Sequence, residues 1–358
     1  MKKIIIVAPS LAMGGIERSS VNIANGLAKL GIKVYFISLF KKEHFYLLDR
    51  NISFYEPSSF NAKSLNFLKS ILWIRHIVGN LQPHSILVFN KFYGAITSLS
   101  LLGNKVPLII SERSSPLYSW PKKISFMNKL AYDIRPPQGV IAQTNIAKIH
   151  QKKYYSKNTT ITVIPNALRE VNLYPQINRK KIILAVGRLN DHLKGFDRLI
   201  DAFALIKNQE WTLVFVGGDV EGAKLRKQAS DLGIAKRINF LGKVKDIDRI
   251  YANAGIFVIP SRSEGFPNAL AEAMAAGLPC IAFDFISGPR DIIEEGINGI
   301  IVENGNIKGL AKAIDSLIEN EDLRFSLGLN AGNLRHRLRS DKISRKFLDF
   351  LNTHERRN

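Results

Sequence analysis

With 358 residues, 46% apolar and 23% charged, the chain has room for two cored domains and is too apolar for a disordered or collagen-like polymer. Its single cysteine, Cys280, excludes an internal disulfide framework, no Cys/His cluster has metal-ligand spacing, and no apolar run reaches the roughly 18 residues of a membrane-spanning helix. Lys and Arg outnumber Asp and Glu by 51 to 30, and residues 1–166 hold 22 of the basic but only 6 of the acidic side chains, which points either to a polyanionic partner of the first half (anionic lipid head groups, nucleic acid, an acidic glycan) or to a generally basic surface.

Met1-Lys2-Lys3 ahead of Ile4–Val7 has the outline of a signal peptide, but the apolar stretch is too short and Gly14-Gly15 follows soon after, so Lys3–Ala8 reads as a strand. Ile16, Ile23, Leu27 and Leu30 then recur at helical spacing up to a stop at Gly31. Further strands are predicted at Val34–Ser38, Ser85–Phe89, Leu108–Ser111, Val140–Gln143 and Thr160–Ile164. After the Pro-Asn break at Ile164-Pro165-Asn166-Ala167 the alternation restarts, with strands at Lys181–Val186, Thr212–Val216, Ile238–Leu241, Ile256–Ile259, Cys280–Phe283 and Gly299–Val302. Helical patterns lie between them, as at Phe196–Ile206, Lys224–Leu232 and Leu310–Glu319. Such alternation implies two doubly wound parallel sheets, in domains over residues 1–166 and 167–339. Residues 340–358 read as a basic helix, with Ile343, Phe347, Leu348 and Phe350 or Leu351 on its apolar face, that crosses back to the first domain.

Three strand-to-helix loops hold the chemistry. Gly14-Gly15, after the first strand, allows a ligand to approach the backbone at a helix start, or makes a plain tight turn; it is not the dinucleotide fingerprint. Gly187–Phe196 follows the first strand of the second domain and places Arg188 and Lys194 in one loop, either converging on an anion or solvated separately. In Ile259–Pro279 a strand ends at Pro260 and a helix begins near Pro267 and stops at Gly277. The N–H groups near Pro267–Ala269 offer a phosphate cradle, with Glu264 in the loop before it and Glu272 about a turn and a half into the helix. The two carboxylates either flank a sugar nucleotide or serve the helix dipole and a surface salt bridge.

Gly14-Gly15, Arg188 with Lys194, and Glu264-x7-Glu272 in the frame E-G-F-P-N-A-L-A-E-A-M-A-A-G together resemble retaining glycosyltransferase family 4, the glycosyl transferases group 1. Val216-Gly217-Gly218-Asp219, Phe240–Val244 and Ile164-Pro165-Asn166 match the same family. The resemblance implies an α/β GT-B fold, two Rossmann-like domains whose parallel sheets face across a cleft. It implies that Arg188 and Lys194 bind the donor diphosphate, that Glu264 holds hydroxyls of the transferred sugar and that Glu272 holds the ribose. Backbone at Phe266, Pro267, Asn268, Ala269 and Leu270 would cap the phosphates, Gly217 would belong to the donor site, Gly14 and Gly15 would close from the first domain, and Lys243-Val244 would meet the base. No metal ion or other cofactor is expected. Where the family often has a histidine, after Leu108–Ser111, this chain has Glu112-Arg113-Ser114, so Arg113 would contact sugar or phosphate and Glu112 would orient it or meet the acceptor; otherwise the two make a salt bridge at a strand end. Ser287-Gly288-Pro289 would bring Arg290 near the donor sugar, a loop that mostly accompanies UDP-sugars.

Two basic stretches fit a membrane interface or ordinary core helices: Lys63–Leu81, with Leu65, Leu68, Ile71 or Leu72, Arg75 and Val78 at helical spacing, and Tyr118–Phe126, which mixes aromatics with lysines. The expectation is a cytoplasmic transferase at the inner face of the inner membrane. It moves a hexose or N-acetylhexosamine from a UDP-sugar, with retention, to a lipid-linked or lipopolysaccharide-type glycan, and has no nucleic-acid partner. The alternatives are a GDP- or ADP-sugar enzyme of the same fold, or a basic nucleic-acid- or membrane-binding protein without transferase activity.

Overall fold

The structure is a computed structural model that describes residues 1–58, 66–115, 118, 120–218 and 222–354. It separates into two compact units, Met1–Ala167 with Leu338–Asn358, and Leu168–Arg337.

The first unit is a seven-stranded parallel sheet of β1 (Lys3–Ala8), β2 (Lys33–Ser38), β3 (Ser53–Tyr55), β4 (Ser85–Phe89), β5 (Leu108–Ser111), β6 (Gly139–Ala142) and β7 (Thr160–Val163), in the order β3-β2-β1-β4-β5-β6-β7. Ile4, Ile5, Ile6 and Val7 are all fully buried, as continuous apolar runs are when helices cover both faces of a parallel sheet. Each such side chain contributes about 1.5–3 kcal/mol of burial. The three-residue β3 was not predicted: it is too short to carry a pattern, and all three of its side chains stay half-buried at the sheet edge. Helix α1 (Gly15–Lys29) follows β1, α2 (Phe67–Leu81) precedes β4, α3 (Lys91–Ser100) joins β4 to β5, and α4 (Lys122–Ile134) and α5 (Asn145–Gln151) flank β6.

Helix α2 buries Ser70, Ile74, Ile77 and Val78, a face rotated from the predicted one. Leu68 and Leu72 are exposed, and Arg75 donates to the carbonyls of Ser100 and Leu102. Residues 63–65 of that predicted stretch lie outside the described residues.

The second unit is a six-stranded parallel sheet of β8 (Ile182–Val186), β9 (Thr212–Val216), β10 (Ile238–Phe240), β11 (Ile256–Ile259), β12 (Cys280–Phe283) and β13 (Ile300–Val302), in the order β10-β9-β8-β11-β12-β13. The helices that position its loops are α6 (Phe196–Ala204), α7 (Ala223–Asp231), α8 (Ile247–Asn253), α9 (Asn268–Ala275) and α10 (Pro289–Ile292). Cys280 is buried in β12, and burial pushes its thiol up. In both sheets the order reverses beside the first strand, and ligands bind outside the strand carboxyl ends at such a reversal.

After α11 (Ile307–Glu319), α12 (Glu321–Ala331) and α13 (Leu334–Arg337), the last helix α14 (Ser340–Thr353) joins the first unit. It buries Ile343, Ser344, Phe347 and Leu351 and packs on α1. That contact needs Gly26, because a Cβ there would overlap Ser344 Oγ. Gly26→Leu is therefore expected to lift α14 from α1, read as faster proteolytic release of the C-terminal segment; wild-type protection would show that the close approach is dispensable.

Candidate active site

Four loops gather at the carboxyl edge of the second sheet, after the neighbouring strands β9, β8, β11 and β12. Their backbones touch. A Cβ on Gly217 (φ +109°) would stand 2.7 Å from the Gly187 carbonyl oxygen, and one on Gly218 (φ +72°) 2.9 Å from Leu189 N. Gly195 (φ +67°) lies against the Pro260 carbonyl so closely that no side chain fits. Ser287 Oγ donates to the Gly265 carbonyl at 3.2 Å, and a Cβ on Gly288 would meet Pro267 at 2.6 Å. The positive-φ glycines are thus the means by which the loops reach each other.

Lys194 and Glu264 meet inside this cluster. Lys194 Nζ donates to Glu264 Oε1 at 2.8 Å and Oε2 at 3.0 Å, and Ser261 Oγ donates to Oε1 at 2.8 Å. Both side chains are largely sheltered, so this pair is screened less than a surface pair. An ammonium group has three N–H donors, and two go to Glu264; the third is available to an anion. Arg262, which the sequence reading did not single out, fixes the loop from below. It forks onto Asp197 and donates to the His192 carbonyl at 2.9 Å. Burial pushes the Asp197 carboxyl up, but the Arg262 guanidinium outweighs it and holds the group below its ordinary value.

Helix α9 starts where this loop ends. Pro267 at its N-cap supplies no side-chain cap, and the Asn268 N–H turns back to the Phe266 carbonyl at 2.9 Å, which leaves the N–H groups of Ala269 and Leu270 at the positive end of the helix dipole. Phe266, Pro267 and Leu270 are buried beneath that end, while Asn268 and Ala269 are partly open.

Glu272 is not a surface carboxylate. It is 7% exposed, 3.3 Å from Arg169 Nε, and accepts from Tyr251 Oη at 3.4 Å. Arg169 also forks onto Asp248, which accepts from Asn172 N at 2.9 Å. Burial works against the Arg169 charge, but the Asp248 hydrogen bonds and Glu272 outweigh it and raise its pKa. Arg169, Asp248 and Tyr251 went unrecognised in the sequence, because a linker Arg and two residues of a short helix carry no motif.

The other predicted residues are more loosely placed. Arg188 is 79% exposed at its side chain and pairs with Asp191 at 2.7 Å, a surface bridge weak enough to open for a phosphate. The exposed Lys243 and half-buried Val244 follow Gly242, whose carbonyl accepts from Gly217 N at 2.7 Å. Arg290 turns to Asp284 at 2.9–3.0 Å, and Gly288 in the loop before it lies close against Pro267. Asp219 lies outside the described residues.

In the first unit, Gly15 faces open space, but the Glu17 carboxylate lies directly over Gly14, so the chain's own anion occupies the start of α1. Arg113 is buried: it is 8% exposed, its guanidinium carbon lies 5.4 Å from the Phe89 ring centroid and 5.5 Å from that of Phe347, and it donates to Asn166. Burial pushes it down to about 9 against the pull of Glu112. Glu112 is buried as well and accepts from the backbone N–H of Arg113 and Ser114, each at 2.9 Å, which shapes the turn after β5. Among the described residues, no group of three or more His, Cys, Asp or Glu side chains is placed to hold a metal ion, and no helix is long and apolar enough to cross a membrane.

Comparison with known proteins agrees with this architecture. The family model described as Glycosyl transferases group 1 matches residues 173–334, and that of Glycosyltransferase Family 4 matches residues 13–169. An uncharacterized glycosyltransferase of Haemophilus influenzae is 30% identical over 88% of this chain and 89% of its own. A Campylobacter jejuni alpha-1,4-N-acetyl-D-galactosaminyltransferase, whose name includes a PP-undecaprenol-linked glycan, is 25% identical over 92% of this chain and 93% of its own. The crystal structure of Anabaena HepE in complex with UDP and glucose superposes with a TM-score of 0.83 at 19% identity, over 99% of this chain and 100% of that one.

Replacing Gly195 by alanine forces both a positive φ and an overlap with backbone at Pro260, neither of which a flexible neighbour can relieve. The substitution is expected to destabilise the second unit by about 2 kcal/mol or more in denaturant unfolding. A midpoint unchanged from wild type would contradict the close approach.

Proposed function

Because this chain belongs to glycosyltransferase family 4, whose GT-B fold it shares, we propose that it moves a hexose or N-acetylhexosamine from a UDP-sugar, with retention and without a metal ion, to a hydroxyl of a lipid-linked or lipopolysaccharide-type glycan. The Lys194–Glu264 pair beside the uncapped start of α9 carries the donor half of this reading. Lys194 gives its remaining N–H to the diphosphate, Ala269 and Leu270 give theirs, and Arg188 leaves Asp191 to join them. These donors stabilise the charge that develops as the sugar–phosphate bond breaks. Glu264 accepts from the sugar hydroxyls and Glu272 from the ribose, with Arg169 and Tyr251 fixing the latter carboxylate. The sugar's anomeric carbon loses its bond to the phosphate oxygen and gains one to the acceptor oxygen on the same face, and the acceptor's proton passes to the departing phosphate. The HepE structure with UDP and the Campylobacter relative's undecaprenol-linked name support the choice of donor and acceptor class.

The same reading places the first unit against an anionic membrane on its cytoplasmic face. Helix α4 turns only Asn128, Ala131 and Tyr132 inward and exposes Phe126 (69%), Met127, Leu130 and Ile134 beside Lys122, Lys123 and Lys129. An apolar stripe edged by lysines suits the headgroup boundary, where each basic side chain contributes about 1 kcal/mol of attraction to anionic lipid.

Lys194→Ala is expected to lower turnover with a UDP-sugar by ~100-fold or more, the effect of losing one transition-state donor. A wild-type rate would remove Lys194 from the chemistry, and turnover with a GDP- or ADP-sugar alone would replace the donor. In vesicle sedimentation, the protein should bind phosphatidylglycerol in a salt-sensitive way. Equal partition onto neutral phosphatidylcholine would contradict the membrane assignment.

A further inference from the structure

Helix α8 buries two side chains, Asp248 and Tyr251, three residues apart and so on one face. Both are polar. They meet the Glu272 carboxylate of α9 and the Arg169 guanidinium of the stretch before β8. Asp248 is 4% exposed and Tyr251 fully buried, so these contacts are sheltered from water and from salt. Replacing a buried ion pair by apolar packing is often neutral or stabilising. A buried cluster of one cation and two carboxylates therefore answers to a role other than stability.

The guanidinium is shared unequally between the two carboxylates. Its fork goes to Asp248, with Nη1 donating to Oδ2 at 3.0 Å and Nη2 to Oδ1. Its Nε stands 3.3 Å from Glu272 Oε2, the same oxygen that accepts from Tyr251 Oη. The Asn172 backbone N–H holds Asp248 at 2.9 Å, and Arg169 also donates to the Glu170 carbonyl at 3.0 Å, so the fork has a fixed direction. A guanidinium favours closing on both oxygens of a carboxylate. If Asp248 did not take the fork, Glu272 is the neighbouring carboxylate on which it would close, and Glu272 would lose acceptor positions on both oxygens. Met at one oxygen by Arg169 and Tyr251, a carboxylate with about four acceptor positions is not exhausted. Two carboxylates on one guanidinium also keep a negative charge in excess, which strengthens any hydrogen bond that a hydroxyl donates to Glu272.

We propose that Asp248 and Arg169 are positioning residues that set a preference for ribose over deoxyribose in the bound nucleotide: Asp248 keeps the fork of Arg169, so that Arg169 steadies Glu272 at one oxygen without closing on both, and the carboxylate accepts from the 2′- and 3′-hydroxyls. The assignment rests on Glu272 as the ribose carboxylate and adds the device that keeps it available. Asp248 and Arg169 act through Glu272, while Lys194 and the start of α9 hold the diphosphate independently of them.

The test is calorimetric titration of the full chain with UDP and GDP, each beside its 2′,3′-dideoxy form, for wild type, Asp248→Asn, Arg169→Gln and Arg169→Lys. Wild type should bind UDP about tenfold or more tightly than dideoxy-UDP, the size of hydrogen bonds to a charged group. Asp248→Asn and Arg169→Gln should lose most of that ratio through weaker UDP binding, while their affinity for dideoxy-UDP stays within about twofold of wild type. A merely structural role would weaken both ligands alike, and that result overturns the proposal, as does a wild-type ratio in both variants. If these two variants fail to fold, Arg169→Lys decides: it keeps the charge but has no fork, and it should lose part of the ratio, whereas the full wild-type ratio overturns the proposal. Wild type that binds UDP and dideoxy-UDP equally removes the ribose from Glu272 and this inference with it. GDP binding without UDP binding would replace the donor while the guanosine pair still decides the inference, and a wild type that binds neither nucleotide overturns both.

Discussion

The contact between Gly195 and the Pro260 carbonyl brings two loops of the second sheet close enough for Lys194 to reach Glu264. Without it the Lys194 loop would stand off by the width of a side chain and the pair would open. Glu264 would then keep only Ser261 among the donors described for it, and the ammonium group would have no fixed direction. A flexible lysine in water is a poor stabiliser of a developing charge, because it must be oriented during the reaction. One already held by a carboxylate is oriented beforehand. The Arg262–Asp197 fork serves the same end by tying the start of α6 to the loop after β11.

The two units divide the electrostatic work unequally. Most of the chain's positive excess lies in residues 1–166, while several cations of the second unit are held in specific pairs: Lys194 with Glu264, Arg169 with Asp248 and Glu272, Arg262 with Asp197, Arg290 with Asp284. Paired charges recognise one small anion at a fixed place, whereas the exposed lysines of α4 present a broad positive field. Under the proposed function, the donor diphosphate would use the first arrangement and an acceptor at an anionic membrane the second.

Much of this was legible in the sequence because it rests on local pattern. Continuous apolar runs located both sheets, and the E-G-F-P-N frame located the start of α9. The partners that fix the site were not legible, since they are far apart in the chain: Arg169 meets Glu272, and Arg262 meets Asp197, through folding alone. Helix α2 shows the limit of periodicity. Leu68 and Leu72 fit the helical spacing as well as Ile74 and Ile77 do, and only packing decides which pair is buried. Arg113 shows the limit of local reading: its guanidinium lies over the rings of Phe89 and Phe347. Phe347 comes from the last helix, which no local signal near Arg113 foretells.

A crystal structure with UDP bound tests the central claim most directly. The account requires the diphosphate within hydrogen-bonding distance of Lys194 Nζ and of the Ala269 and Leu270 N–H groups, with the ribose hydroxyls on Glu272. Nucleotide bound elsewhere in the second unit, with the start of α9 in contact only with solvent, would contradict it.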